Sequence, residues 1–140
     1  MSEQSKTIVR DFFDAVNLRD ADRLDGLVAL DVTYHGASVN GLAELKQLMR
    51  HIVDGFPDFE VTIEELVAEG DKVAAMSIET GTHRGEFEGI PPTGKSISLR
   101  EVNLFRISEG RIAEVWQISD QLAFMQQLGL MPSEEEQAAG

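Results

Sequence analysis

Apolar positions recur at helical spacing in the first third of the chain. Ile8, Val9, Phe12, Phe13 and Val16 fall on one stripe, and Leu24, Leu27 and Val28 repeat the spacing after Asp20 to Asp22, predicting two short amphipathic helices. A third is predicted over 41–54, with Leu42, Leu45, Met49 and Ile52 on one face and Asn40 as its N-cap. Val32 to Gly36 reads as a short strand before it. Beyond Pro57 the period becomes twofold. Phe59, Val61 and Ile63 alternate with polar residues, 69–72 reads as a turn, and a long strand is predicted over 73–86. Gly89-Ile-Pro-Pro-Thr-Gly94 is a loop, because two prolines remove ladder donors and the glycines permit tight turns. The last strands are predicted over 97–107 and 112–119, followed by a helix over 121–128 that stops at Gly129. Helices first and antiparallel strands afterwards indicate an α+β domain with helices on one face of a curved sheet. One domain spans 1–132, and 133–140 reads as an acidic flexible tail.

The last hairpin is where polar groups interrupt an apolar face. A two-residue turn at Glu109-Gly110 pairs Ile107 with Ile112, Phe105 with Glu114, Asn103 with Trp116 and Glu101 with Ile118. One face then carries Ile97, Leu99, Phe105, Ile107, Ile112, Trp116 and Ile118, broken by Glu101, Asn103 and Asp120. A buried carboxylate without a partner is costly, so these three need partners, water or a cavity. In this register Glu101 and Asp120 are diagonal neighbours, roughly 7 to 8 Å apart at the backbone. Two carboxyls this close in a poorly solvated place raise at least one pKa toward the range of general acid–base work. Each residue also has a plainer reading. Asp120 stands where a strand meets a helix and suits an N-cap; Asn103 suits an internal hydrogen-bonding bridge; Glu101 suits a solvated rim; Trp116 suits core or pocket wall.

Composition narrows the partners. The 140 residues carry 25 acidic and 12 basic side chains, a net charge of −13, with 42% hydrophobic residues. Such a balance supports a core and argues against nucleic acid and anionic membrane surfaces as partners. No stretch approaches the roughly 20 apolar residues of a membrane span, and the first residues lack a basic segment followed by an apolar run. The absence of cysteine removes disulfides, thiolate metal sites and cysteine nucleophiles, and fits a cytoplasmic setting. His35, His51 and His83 have no metal-ligand spacing, so no metal site is expected. His35, next to Tyr34, could line a pocket, and His83 opens the Thr82-His-Arg-Gly85 segment near the loop.

A family pattern then emerges. Gly81-Thr-His-Arg-Gly-Glu-Phe-Glu-Gly-Ile-Pro-Pro-Thr-Gly-Lys95, Phe105-Arg-Ile, Glu109-Gly-Arg-Ile112, Glu114-Val-Trp116, Asp120 and Gln126-Gln-Leu-Gly129 together resemble the SnoaL-like polyketide cyclase family. With the helical start and Gly55-Phe-Pro-Asp58, the resemblance covers nearly the whole chain. It implies the cone-shaped α+β barrel of the nuclear transport factor 2 superfamily, in which three N-terminal helices and a curved, mostly antiparallel sheet enclose a deep hydrophobic pocket. It further implies ring closure of a polyketide-like ester by intramolecular aldol condensation, with an aspartate as general acid and base and no cofactor. On this resemblance Asp120 is the catalytic group, Asn103 or His35 donates to developing oxygen charge, and Trp116, Phe105, Glu101, Tyr34 and His83 contact a small hydrophobic or aromatic ligand. Epoxide-hydrolase-like and ketosteroid-isomerase-like enzymes share the fold, but Glu101-x-Asn103 departs from the acids those enzymes use. A non-catalytic binding protein of the same fold stands as the alternative. Arg100, Val102 and Leu104, on the opposite face, are the expected homodimer surface.

Overall fold

The computed structural model describes residues 2–37 and 39–132; the expected acidic tail, 133–140, lies outside the described residues. Helix α1 (Ser2–Asn17) buries Val9, Phe12 and Phe13 of its predicted stripe, with Ile8 and Val16 partly buried beside them, and also buries Ala15, which the stripe does not include. The second predicted helix is only a short 3-10 helix, Ala21–Gly26, with Leu24 buried. It stops because the chain turns extended at Val28, and strand β1 (Val28–His35) takes up the residues that had suggested more helix. A two-residue strand β2 (Val39–Asn40) folds back on β1, pairing Asn40 with Thr33. Asn40 is therefore strand, and the residue preceding α2 (Leu42–Gly55) is Gly41, whose φ of 91° suits glycine.

Four long strands follow: β3 (Glu60–Glu69), β4 (Lys72–Thr82), β5 (Ser96–Ser108) and β6 (Arg111–Ser119), with a short helix α3 (Gln121–Gln127) after them. The third of the predicted strands thus ends at Thr82 rather than 86. The sheet order is β2-β1-β6-β5-β4-β3, antiparallel except where β1 runs parallel to β6. This curved sheet is open rather than a closed barrel, and β2 and β3 are its edges.

The core forms where α1 lies on the inner face. Phe12, Phe13 and Phe105 meet edge to face with centroids 5.4 to 5.8 Å apart, the arrangement that aligns ring edges with ring faces. Asn17 then ties α1 to β3: its amide donates to the Val61 carbonyl at 2.9 Å and accepts the Val61 N–H at 2.8 Å. That double bond satisfies one backbone unit of an edge strand, which would otherwise be open to other chains. No helix among the described residues is long and apolar enough to cross a membrane.

Candidate active site

Which side chains face the interior is decided by a bulge. Ile107 pairs with Ile112, as the two-residue turn predicts, but Arg106 pairs with Glu114, so Ala113 is an extra residue on β6. Beyond it the pairing moves by one: Phe105 opposes Val115, Asn103 opposes Gln117 and Glu101 opposes Ser119. Because side chains alternate along a strand, this one residue sends Trp116 and Ile118 to the outer face. Trp116 pairs with Leu104 there, and Ile118 is 72% exposed. The inner-face placement expected for Trp116 is corrected accordingly. Its ring stacks on His35, centroids 5.3 Å apart. His35, one residue beyond inward-facing Tyr34, is likewise on the outside; it donates to Glu114 at 2.7 Å, and Arg106 donates to the other oxygen of that carboxylate at 3.1 Å. Those two bonds, His35 first, lower the Glu114 pKa.

The inner face gathers a different polar set. On β4 and β5, Ser77 opposes Glu101, Ala75 opposes Asn103 and Glu79 opposes Leu99, so Glu79 and Glu101 are diagonal neighbours. Tyr34 joins the same face through its pairing with Val115. Glu101 is 4% exposed, and Asn103 donates to its Oε1 at 2.8 Å. Glu79 is pushed up to about 9, first by desolvation and then by a side-chain hydrogen bond with Glu101 and that group's charge. Two carboxyls can hydrogen-bond only if one carries a proton, so the pair holds one between them. Tyr34 is also raised, by burial and by the charges of Glu101 and Glu79, so it stays a phenol with a proton to donate. Around this pair, Ser77 Oγ and Asn103 Oδ1 are buried without a hydrogen-bond partner among the described residues. Glu79 is the least enclosed of these five residues; the other four are buried.

Asp120 is exposed, and its Oδ1 accepts the Ala123 N–H at 2.9 Å, capping α3. Phe105 is sealed in the core with Phe12 and Phe13. His83 is buried beneath the 89–94 loop, its ring stacked on Phe56 at 5.1 Å. Two surface depressions lie elsewhere, one beside Asp25 and Arg111 and another beside Arg10 and Glu64. Glu79 is the residue that sequence reasoning missed. Its inward position follows the alternation of Val73, Ala75 and Ser77, a signal available in the sequence. Its pairing with β5 was not available, because the long segment 83–95 joins the two strands and no tight turn fixes their register.

Comparison with known proteins places this geometry. Residues 7–128 match the family described as SnoaL-like polyketide cyclase. The chain belongs to that family. Among solved structures, TsrD from Streptomyces laurentii is 26% identical with a TM-score of 0.87, covering 94% of this chain and 98% of that one. IdmH from Streptomyces antibioticus is 30% identical with a TM-score of 0.79, covering 90% of this chain and 99% of that one. A SnoaL-like polyketide cyclase from Agrobacterium tumefaciens, at 24% identity and a TM-score of 0.78 over 89% of this chain and 98% of that one, shares the fold. Comparison with curated proteins finds no match. For this SnoaL-like chain, no group of three or more His, Asp or Glu side chains gathers among the described residues as a metal site would need.

Proposed function

We propose that the chain is a cofactor-independent acid–base enzyme that closes a ring in a polyketide-like ester by intramolecular aldol addition, with Glu79 and Glu101 handling the protons. What supports this is a protonated carboxyl hydrogen-bonded to a second carboxyl on a mostly buried face. Glu101, oriented by Asn103, takes the proton from the carbon beside the ester carbonyl. The resulting enolate attacks a ketone carbon of the same molecule, forming the carbon–carbon bond. The ketone oxygen becomes an alkoxide, and Glu79 gives it its proton. Glu101 then holds the proton that Glu79 has lost, and transfer across their hydrogen bond restores the starting state. Tyr34, and the second amide hydrogen of Asn103, are donors for the developing enolate. Asp120 in this scheme caps α3 and takes no proton from the substrate.

The reading is tested with an aromatic methyl ester carrying a side-chain ketone, following ring closure together with deuterium uptake beside the ester carbonyl. Glu79→Gln and Glu101→Gln are each expected to lower kcat by about 10² to 10⁴-fold. A larger loss on Asp120→Asn than on either glutamate variant returns the chemistry to Asp120. Binding of the ester without deuterium uptake favours instead a non-catalytic carrier of small aromatic molecules. We infer also that a second copy of the chain covers the outer sheet face, where Val102, Met76 and Ile118 are exposed beside Leu104 and Trp116.

A further inference from the structure

His83 is 0% exposed, and its two ring nitrogens are in opposite situations. The Thr93 backbone N–H points at Nδ1 from 3.2 Å, and the Thr93 hydroxyl lies 3.1 Å from the same atom. A backbone N–H can only donate, so Nδ1 is the bare, accepting nitrogen and the ring proton sits on Nε2. That Nε2–H has no acceptor among the described residues. A buried donor left unpaired is costly, so the site is set up for an oxygen that the chain itself does not supply.

The surroundings say what kind of oxygen. Phe56 stacks on the imidazole at 5.1 Å, and Phe87 and Phe124 stand around Phe56 at 5.4 and 6.1 Å. A neutral donor among aromatic rings does not offset the desolvation of a carboxylate, but it suits a carbonyl oxygen attached to a flat apolar body. His83 follows Glu79 by four residues along β4 and its extension, about 13 Å at the backbone, so the two cannot serve the same oxygen of a small molecule. Half-buried Phe124 lies on α3, none of whose residues is fully buried, so this is the least enclosed side of the aromatic cluster.

We propose that His83, its tautomer fixed by Thr93, is a specificity residue whose Nε2–H binds the carbonyl oxygen of an aromatic ligand at a subsite separate from the Glu79–Glu101 pair. This extends the reading of the interior as ligand-binding, and it holds whether or not the carboxyl pair catalyses ring closure.

The probes are 1-tetralone and tetralin, which share a ring system and differ by a carbonyl oxygen. In protein labelled with ¹⁵N-histidine, the free protein shows His83 protonated at Nε2, and this resonance moves on adding 1-tetralone but not tetralin. Wild type binds 1-tetralone about tenfold more tightly than tetralin, and His83→Phe removes the preference while still binding tetralin. Glu79→Gln keeps the preference. Protonation at Nδ1, a preference that survives His83→Phe, or no binding of 1-tetralone overturns the proposal. A preference lost in Glu79→Gln but kept in His83→Phe places the carbonyl at the carboxyl pair, which sinks the role of His83 and leaves the acid–base reading standing. If His83→Phe does not fold, the wild-type resonance decides alone.

Discussion

At the scale of single residues, the shared proton on Glu79 ties the site to the stability of the fold. Glu79 rises from the ordinary 4.5 to about 9, first through desolvation, so across that window the folded chain holds a proton that the unfolded chain releases. The folded state therefore loses ground as pH rises, by up to about 1.4 kcal/mol per pH unit, and the contribution is fully present below 4.5. Glutamine mimics the protonated acid and does not titrate. Urea unfolding should find Glu79→Gln close to wild type near about pH 5 and more stable than wild type near about pH 9. A gap between the two proteins that stays constant over this range rules out the shared proton. Asp58 and Glu114 act in the opposite sense. Thr82 donates to Asp58 through its backbone and hydroxyl, and His35 and Arg106 to Glu114, so both pKa values are lowered and their stabilisation is lost only as pH falls below the ordinary carboxylate range. Their titration lies below the Glu79 window and is common to both proteins, so the comparison isolates Glu79.

At the scale of elements, the bulge on β6 and the cap on α3 separate what sequence could reveal from what it could not. The stripes of α1 and α2, the alternation of β3 to β6 and the loop around Pro91 and Pro92 were all legible, because each is a local periodicity or a backbone restriction. So were Glu101 and Asn103 as polar breaks on an apolar face, and they do share the interior with Tyr34. Trp116 was misplaced because a hairpin turn fixes register only until an extra residue intervenes, and nothing in Arg-Ile-Ala-Glu-Val announces that Ala113 is left unpaired. Deleting Ala113 tests this directly. It leaves Ile112 followed directly by Glu114, so that Ile107–Ile112, Arg106–Glu114 and Phe105–Val115 pair in one unbroken ladder with Val115 still inward and Trp116 still outward, and the variant should stay soluble and fold within about 1 kcal/mol of wild type. A loss of several kcal/mol in denaturant unfolding, as expected if Ala113 were a paired member of the ladder whose removal turns every later side chain over, contradicts the bulge. The cap is a smaller effect. Asp120→Ala removes the acceptor of the Ala123 N–H and should cost about 1 kcal/mol, with faster amide exchange confined to α3. α3 is held at its other end as well, where Gln127 bonds both the N–H and the carbonyl of Ser98 and Leu128 is buried, so the helix should loosen without leaving the sheet.

At the scale of the whole molecule, the bulge that clears the interior of Trp116 also builds the outer face. Val102 at 39% and Ile118 at 72% exposure are paired neighbours there, and Met76 pairs with Val102 from the other side, so three apolar side chains form one continuous row across β4, β5 and β6. A row of this kind on a charged molecule suits the self-association proposed above, since a second copy of the chain offers the same apolar row in return. Opposing it is the charge of −13 on each copy. Apolar burial is insensitive to moderate salt, whereas the repulsion between two acidic molecules is screened once their charges are more than about 8 Å apart at physiological ionic strength. Self-association through this face should therefore tighten as sodium chloride rises, the reverse of what an interface held by ion pairs would do. Sedimentation velocity over a salt series measures it: wild type should shift toward dimer with salt, and Ile118→Lys should remain monomeric throughout. Association that weakens with salt would assign the contact to charged groups such as Arg100 and Glu64 instead, which already pair with each other at 2.9 Å within one chain.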